Sequence, residues 1–506
     1  MPLQSFGVIG LEVMGRNVAQ NIERNGFPVA VFNRTYQKTL DFLGGPARGK
    51  NFKGAQDLKD FAALLARPRR ILMLVKAGFA TDATIDAIKP YLEPGDVLID
   101  GGNALFHDTE RRAAALEHAG IKFFGMGVSG GEEGALWGPS LMPGGDRDAY
   151  EVLRPVLEKV AAKAPADGAP CVAYCGSGGA GHFVKMMHNG IEYGDMQLIA
   201  EAYDLLRTVG GLTSEQLQQV FTEWNNGELS SFLIDVTSKV VNFPDPGGSR
   251  KPLVDLIRDS VGMKGTGTWA IKEALSLQVP VPTIAAAVDA RQMSTVQPQR
   301  AAAGKAYPAP RATKFAGDAK ALAADVRAAL YCSKICSYAQ GMAVLAAANR
   351  PRPAKGADLD ATTGYAFGIR LDEMARIWRA GCIIRARLLD DIATTFRAQP
   401  ELPNLLLAER FQGAIVGNVD AWRRVVGVAA QHGIATPAFA ASLAYFDAYR
   451  RGRLPGAALT QATRDFFGGH TYERTDRPGV FHTAWTGDGK EYEVVEGKAR
   501  TGTGKR

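Results

Sequence analysis

The chain has 506 residues, 46% hydrophobic and 22% charged, a composition that supports roughly two or three domains with full cores. A net charge of +7 without a dense basic run argues against a nucleic-acid partner and suits an anionic small substrate. No apolar run is long enough to span a membrane and no secretory leader opens the sequence, so the expected setting is the cytoplasm, with no membrane partner.

Residues 5–9 read as a buried strand, 14–25 as a helix and 29–32 as a second strand. Further apolar runs follow at 71–75, 97–100 and 122–125, with helical stretches between them. This alternation implies βαβ units in a mostly parallel, doubly wound sheet, with a ligand crevice at the carboxyl ends of its strands. Between the first strand and the first helix, Gly10-Leu11-Glu12-Val13-Met14-Gly15 takes the place of a dinucleotide phosphate loop, where backbone N–H groups and the helix dipole meet a pyrophosphate. Glu12 stands at the middle position, where a long acidic side chain opposes a close pyrophosphate by size and charge. The second strand ends in Asn33-Arg34-Thr35. Arginine here suits the 2′-phosphate of NADP, which a guanidinium engages bidentately, whereas NAD sites usually place Asp or Glu there. The plain alternative is a polar turn.

The glycine-dense stretch 175–181 reads as a domain boundary. Beyond it, from about 182 to 450, helical periodicity takes over, as in 321–348 and 371–393, and the Pro/Gly/Ala stretch 300–311 reads as a loop. At the start of this region Lys185, His188, Asn189 and Glu192 fall within an arc of about 100° on one helix face. Their neighbours Phe183, Val184, Met186, Met187 and Ile191 are apolar. An amine, an imidazole, an amide and a carboxylate on one buried face point to a ligand, with Lys185 able to accept a proton and Glu192 to donate one. The competing reading is a Lys–Glu pair on an amphipathic surface helix. Cys171/Cys175 and Cys332/Cys336 have apolar neighbours, which favours buried free thiols over a four-cysteine zinc site. After residue 454 come a short helix and a tail with no obvious core, expected either to be disordered or to pack on another surface, a partner subunit's included.

Taken together, Gly10-x-x-x-Met-Gly15, Asn33-Arg-Thr35, Val75-Lys76-Ala77, Gly101-Gly-Asn103, Val128-Ser-Gly-Gly131 and above all Lys185-Met-x-His-Asn-Gly-Ile-Glu-Tyr-Gly-Asp195 resemble the decarboxylating 6-phosphogluconate dehydrogenases. The resemblance continues through Lys264-Gly-Thr-Gly267, Trp378-Arg-x-Gly-Cys-Ile-Ile-Arg385 and Arg464-Asp-x-Phe-Gly-x-His-Thr-Tyr472, so it spans nearly the whole chain. It implies a Rossmann-type α/β domain at 1–177 that binds NADP, a large all-α substrate and dimerisation domain at 178–454, and a C-terminal tail at 455–506 that reaches the other subunit of a homodimer. It implies cofactor contacts at residues 10 to 15, 33 to 35 and 75 to 77, and Asn103 touching both cofactor and substrate. Substrate contacts are implied at Ser129, Gly130, Gly131, His188, Asn189, Tyr193, Lys264 and Arg291, with Arg464 and His470 lent by the partner. Lys185 then matches the general base and Glu192 the general acid of a metal-free conversion of 6-phosphogluconate to ribulose 5-phosphate and CO2. Two rivals are a 3-hydroxyacid dehydrogenase of the same fold, and a catalytically weak NADP-binding protein on account of Glu12, where the family typically has Ala. Met263 and Thr268 are further departures, standing where the family usually has Gln and often Lys.

Overall fold

Short runs of Val, Ile and Leu, buried on both faces, build the N-terminal sheet, as expected of parallel strands covered by helices on each side. In chain order the strands are β1 (Phe6–Ile9), β2 (Val29–Phe32), β3 (Phe52–Gly54), β4 (Arg70–Met73), β5 (Val97–Asp100), β6 (Lys122–Ser129) and β7 (Ser140–Gly145). They lie in the order β3-β2-β1-β4-β5-β6-β7, all parallel except the antiparallel β6/β7 pair. β1 is in register with β2 through Phe6↔Val29 and with β4 through Gly7↔Ile71. The order reverses at β1/β4, which opens a crevice at their carboxyl ends. Helices α1 (Val13–Arg24), α2 (Tyr36–Gly44), α3 (Leu58–Ala63), α4 (Phe79–Ile88), α5 (Phe106–Glu117), α6 (Gly131–Trp137) and α7 (Arg147–Val160) accompany the sheet. One core joins Val8, Val18 and Ile22 to Leu153 and Val156, and a second joins Ile9, Phe61, Ile71 and Ile85. The structure is a computed structural model describing residues 2–307, 315 and 317–494. It adds β3 and β7 to the expected strands and carries β6 four residues beyond 125.

The helical region begins with α8 (Ala180–Asp204), 25 residues long. It continues with α9 (Ser214–Trp224), α10 (Phe232–Val240), α11 (Thr266–Ser276), α12 (Pro282–Thr295), α13 (Gln297–Ala306) and α14 (Ala319–Ala347). Then follow α15 (Leu371–Ile377), α16 (Leu388–Ala398), α17 (Glu409–Val416), α18 (Val419–His432) and α19 (Pro437–Tyr449). α14 packs along α8, and both are apolar nearly all round, which is why neither shows a clean amphipathic stripe. Two expectations need correction. The stretch 300–311 is not a loop throughout, because α13 runs to Ala306 with Pro298 in its first turn; residues 308–311 lie outside the described residues. The stretch 371–393 is two helices. Between them the chain turns at Gly381 (φ +65°), whose carbonyl accepts from Ser140 N at 2.7 Å, while Ser140 Oγ donates to the Ile377 carbonyl at 2.8 Å. All five cysteines are buried and free.

Contacts divide the chain into two compact units, Met1–Leu443 and Ala444–Arg506. The second holds α20 (Pro455–Gly468) and an antiparallel sheet of β8 (Tyr472–Glu473), β9 (Val480–Thr483) and β10 (Glu491–Glu493), in the order β10-β9-β8. The expected coreless tail therefore has an interior, but a largely polar one. Asp465 is fully buried and accepts hydrogen bonds from Thr471 N (2.9 Å), Thr483 N (3.1 Å), Trp485 Nε1 (2.8 Å) and His482 Nδ1 (2.9 Å). Apolar periodicity cannot reveal a hub built on one carboxylate.

Candidate functional site

Glycines decide where α8 lies. A Cβ on Gly127 of β6 would overlap the Cβ of Lys185, and one on Gly181 would overlap the carbonyl oxygens of Gly125 and Met142. Without side chains at these points, helix and sheet backbones approach closely, and the Lys185 face is drawn over the end of β6. Lys185, His188 and Asn189 are buried, while the Glu192 side chain keeps about 20% of its surface. His188 Nδ1 donates to Asn189 Oδ1 at 3.1 Å, which leaves Nε2 to face the Ser129 hydroxyl at 3.4 Å. Lys185 Nζ lies 3.5 Å from His188 Nδ1, and Glu192 Oε2 lies 3.7 Å from that same nitrogen. The Trp378 ring stands edge-on to His188 with centroids 5.6 Å apart.

Burial shapes the protonation of this face. It lowers the Lys185 pKa, with the charges of Glu192 and Cys382 acting in opposition. It raises that of Glu192, against the pull of Lys185 and Arg291. His188 is pushed well below its usual range by burial and by Lys185, so it stays neutral. The amine is thus moved toward its free-base form and the carboxyl toward its acid form, the pairing that a base and an acid need at neutral pH.

Several other expected residues of the first unit gather nearby. Ser129 closes β6, and Gly130 (φ +117°) turns the chain beside the Gly381 carbonyl. Arg291 on α12 stacks over the Tyr193 ring at 3.5 Å. Gly267 packs on the same ring and brings the segment carrying exposed Lys264 beside it. Asn103 is exposed just past β5, and the last carbonyl of that strand, Asp100, bonds His182 of α8 at 3.1 Å. Arg464 and His470 are exposed in the second unit, where Arg464 donates to Gln461 at 2.9 Å.

At the crevice, Gly10 takes φ +96°, and a Cβ there would overlap the Leu74 carbonyl; one on Gly15 would strike the Gly10 carbonyl. The turn is pinned by Leu11 N donating to Asn33 Oδ1 at 3.0 Å, which ties Gly10–Gly15 to the end of β2. Val75 flanks Gly10, and in the segment that continues through Lys76 and Ala77 the Lys76 carbonyl accepts from Thr81 Oγ1 at 3.2 Å. Arg34 is exposed and has no ion-pair or hydrogen-bond partner among the described residues. Glu12, expected to crowd the loop, reaches outward to pair with Lys38 in the first turn of α2, and its side chain is 74% exposed. Lys38 was not singled out in the sequence, because a surface lysine 26 residues from its partner carries no local signal. Trp378 and Cys382 were visible there only as part of a motif; the fold sets them around His188 and Lys185.

Compared with known proteins, residues 5–176 match the family model for the NAD binding domain of 6-phosphogluconate dehydrogenase, and residues 181–485 match that for the C-terminal domain of 6-phosphogluconate dehydrogenase. The chain is 55% identical to the decarboxylating 6-phosphogluconate dehydrogenase of Synechococcus elongatus, over 96% of this chain and 100% of that one. It is 48% identical to the NADP(+)-dependent, decarboxylating enzyme of Bacillus subtilis, again over 96% and 100%. Among solved structures, Plasmodium falciparum 6-phosphogluconate dehydrogenase, determined as apo form, with its cofactor NADP+ and with its substrate 6-phosphogluconate, matches with a TM-score of 0.89 at 39% identity, covering 95% of this chain and 100% of that one.

Proposed function

The chain belongs to the 6-phosphogluconate dehydrogenase family, and we propose that the Lys185–Glu192 face of α8 carries out oxidative decarboxylation of 6-phospho-D-gluconate to D-ribulose 5-phosphate and CO2, with reduction of NADP. The carrying observation is the buried face that joins an amine of lowered pKa to a carboxyl of raised pKa around a neutral His188. A simple 3-hydroxyacid dehydrogenase is not favoured, since the relatives aligned over 96% of this chain are decarboxylating 6-phosphogluconate dehydrogenases.

NADP, when bound, accepts the hydride released as the substrate's 3-hydroxyl carbon is oxidised. Lys185, as free amine, takes the hydroxyl proton at that step. Its ammonium then faces the new carbonyl oxygen and returns the proton as the carboxylate leaves as CO2, so negative charge never accumulates on oxygen. Glu192, held as an acid by burial, protonates the carbon that lost the carboxylate, converting the enediol to the ketose. His188 and Asn189 hold each other and Ser129 in place for the substrate hydroxyls, while Arg291, Lys264 and Tyr193 supply donors for the phosphate end. The Gly10–Gly15 loop fits a dinucleotide because backbone fills the space where side chains would stand, and unpartnered Arg34 is free to read a 2′-phosphate.

The protein acts as a homodimer in the cytoplasm, with Arg464 and His470 of each tail serving the other subunit's site. Exposed Leu459, Phe466 and Phe467 on α20 support this reading, because apolar side chains at such density favour a covered surface. Among the described residues no helix is long and apolar enough to cross a membrane.

Two variants test the chemistry. Lys185→Met abolishes hydride transfer in rapid mixing while NADP affinity is kept; Glu192→Gln slows turnover but still permits a first round of oxidation. More than a few per cent of activity left in Lys185→Met assigns the base elsewhere. Mixing Lys185→Met with Arg464→Ala under subunit exchange restores activity, and exchange without activity refutes the shared site.

A further inference from the structure

The Glu12 side chain is not used as a cap. Glu12 is the N-cap of α1, yet its side chain makes no capping hydrogen bond, so the helix start does not hold the carboxylate in place. What it does is hold Lys38. Lys38 stands in the first turn of α2, where its backbone N–H donates to the carbonyl of Thr35, the residue after Arg34. Thr35 is the N-cap of α2, and it too makes no side-chain capping bond. The turn from β2 into α2 therefore carries, within five residues, an exposed guanidinium and a hydroxyl without hydrogen-bond partners among the described residues, a helix start, and an ammonium already paired to Glu12. Every one of these except the Glu12 carboxylate favours a dianion.

Building on the NADP reading of this turn, we propose that Glu12 is a specificity-determining residue that weakens the preference for a 2′-phosphate by competing for Lys38. In the free protein Glu12 occupies Lys38; a 2′-phosphate must draw the ammonium away and leave the carboxylate to solvent. A nucleotide without that phosphate leaves the pair intact and is indifferent to it. The Glu12 carboxyl, lowered in pKa by the Lys38 hydrogen bond and charge and further by Arg16, remains ionised at neutral pH, so the competition is in force there. With the carboxylate well exposed, solvent screening keeps the effect small and salt-sensitive.

Calorimetric titration of the full-length protein with 2′,5′-ADP and with 5′-AMP tests this in the unsubstituted chain, Glu12→Gln, Lys38→Met and the double variant. Glu12→Gln is expected to tighten 2′,5′-ADP by about two- to fivefold at low salt and to leave 5′-AMP unchanged. Lys38→Met is expected to weaken 2′,5′-ADP selectively and to erase the gain from Glu12→Gln. A gain that persists without Lys38, an equal gain for both nucleotides, or no gain overturns the inference. If the unsubstituted protein binds 2′,5′-ADP no better than 5′-AMP, the NADP reading falls and takes the inference with it; a kept preference without coupling sinks the inference alone.

Discussion

The buried pair between Lys334 and Asp195 offers a quantitative test of how α8 is held. Lys334 Nζ on α14 donates to Asp195 Oδ1 at 2.5 Å, with side chains only 2% and 1% exposed. The second oxygen, Asp195 Oδ2, is buried and has no hydrogen-bond partner in the structure, so the carboxylate depends on Lys334 alone for compensation among the described residues. Lys334→Met leaves that charge unpaired in the interior, which costs about 3–5 kcal/mol. Replacing both members, Asp195→Leu with Lys334→Met, removes the uncompensated charge and is expected to recover most of this loss. Guanidinium unfolding followed by circular dichroism, at one fixed protein concentration so that any self-association is held constant, measures the unsubstituted chain, Lys334→Met, Asp195→Leu and the double variant. The pair also bears on chemistry, because Asp195 is among the charges that raise the Glu192 pKa. Loss of Asp195 should therefore shift the Glu192-dependent limb of the kcat profile to lower pH. A single variant within about 1 kcal/mol of the unsubstituted chain, or a double variant no more stable than the singles, refutes the reasoning.

Arg34→Ala is expected to weaken NADP by about 1.5–3 kcal/mol and NAD far less, as measured by equilibrium titration; equal losses remove Arg34 from the 2′-phosphate. Glu201 on α8 accepts from Ala438 N and Phe439 N at the start of α19 (2.8 and 2.9 Å), and burial lifts its pKa to about 7. The native state thus binds a proton more readily than the unfolded chain between about pH 4.5 and 7, so stability falls by up to about 3 kcal/mol as pH rises through that window and Glu201→Gln flattens the fall in denaturant titrations. Asp465 behaves oppositely. Burial opposes its ionisation, but His482, Thr483, Trp485 and Thr471 donate to it and bring its pKa to about 2. Its contribution is therefore present above about pH 4 and lost as pH falls toward 2, which Trp485 emission reports.

How much of this was legible in the chain depends on distance along it. The α8 face is written within eight residues, from Lys185 to Glu192, and helical geometry alone assembles it; β1, β2 and β5 were legible because burial on both faces demands unbroken apolar runs. β3 is short and only half-buried, and β7 reads Ser-Leu-Met-Pro-Gly-Gly, so its strand character comes from pairing with β6 rather than from propensity. The break between α15 and α16 is likewise imposed from outside, by hydrogen bonds from Ser140. Partnerships across the fold leave no local trace at all. Glu12 reads as a defect in the phosphate loop because no residue beside it in sequence pairs directly with its carboxylate; the start of α2 supplies Lys38, and the same carboxylate becomes one half of a surface pair. Asp465 has no distinguishing local pattern around it, and only the fold brings four donors to it. In both cases a residue that the local pattern does not account for is explained by a charge or donor brought from elsewhere, so exceptions to patterning are where tertiary structure has the most to add.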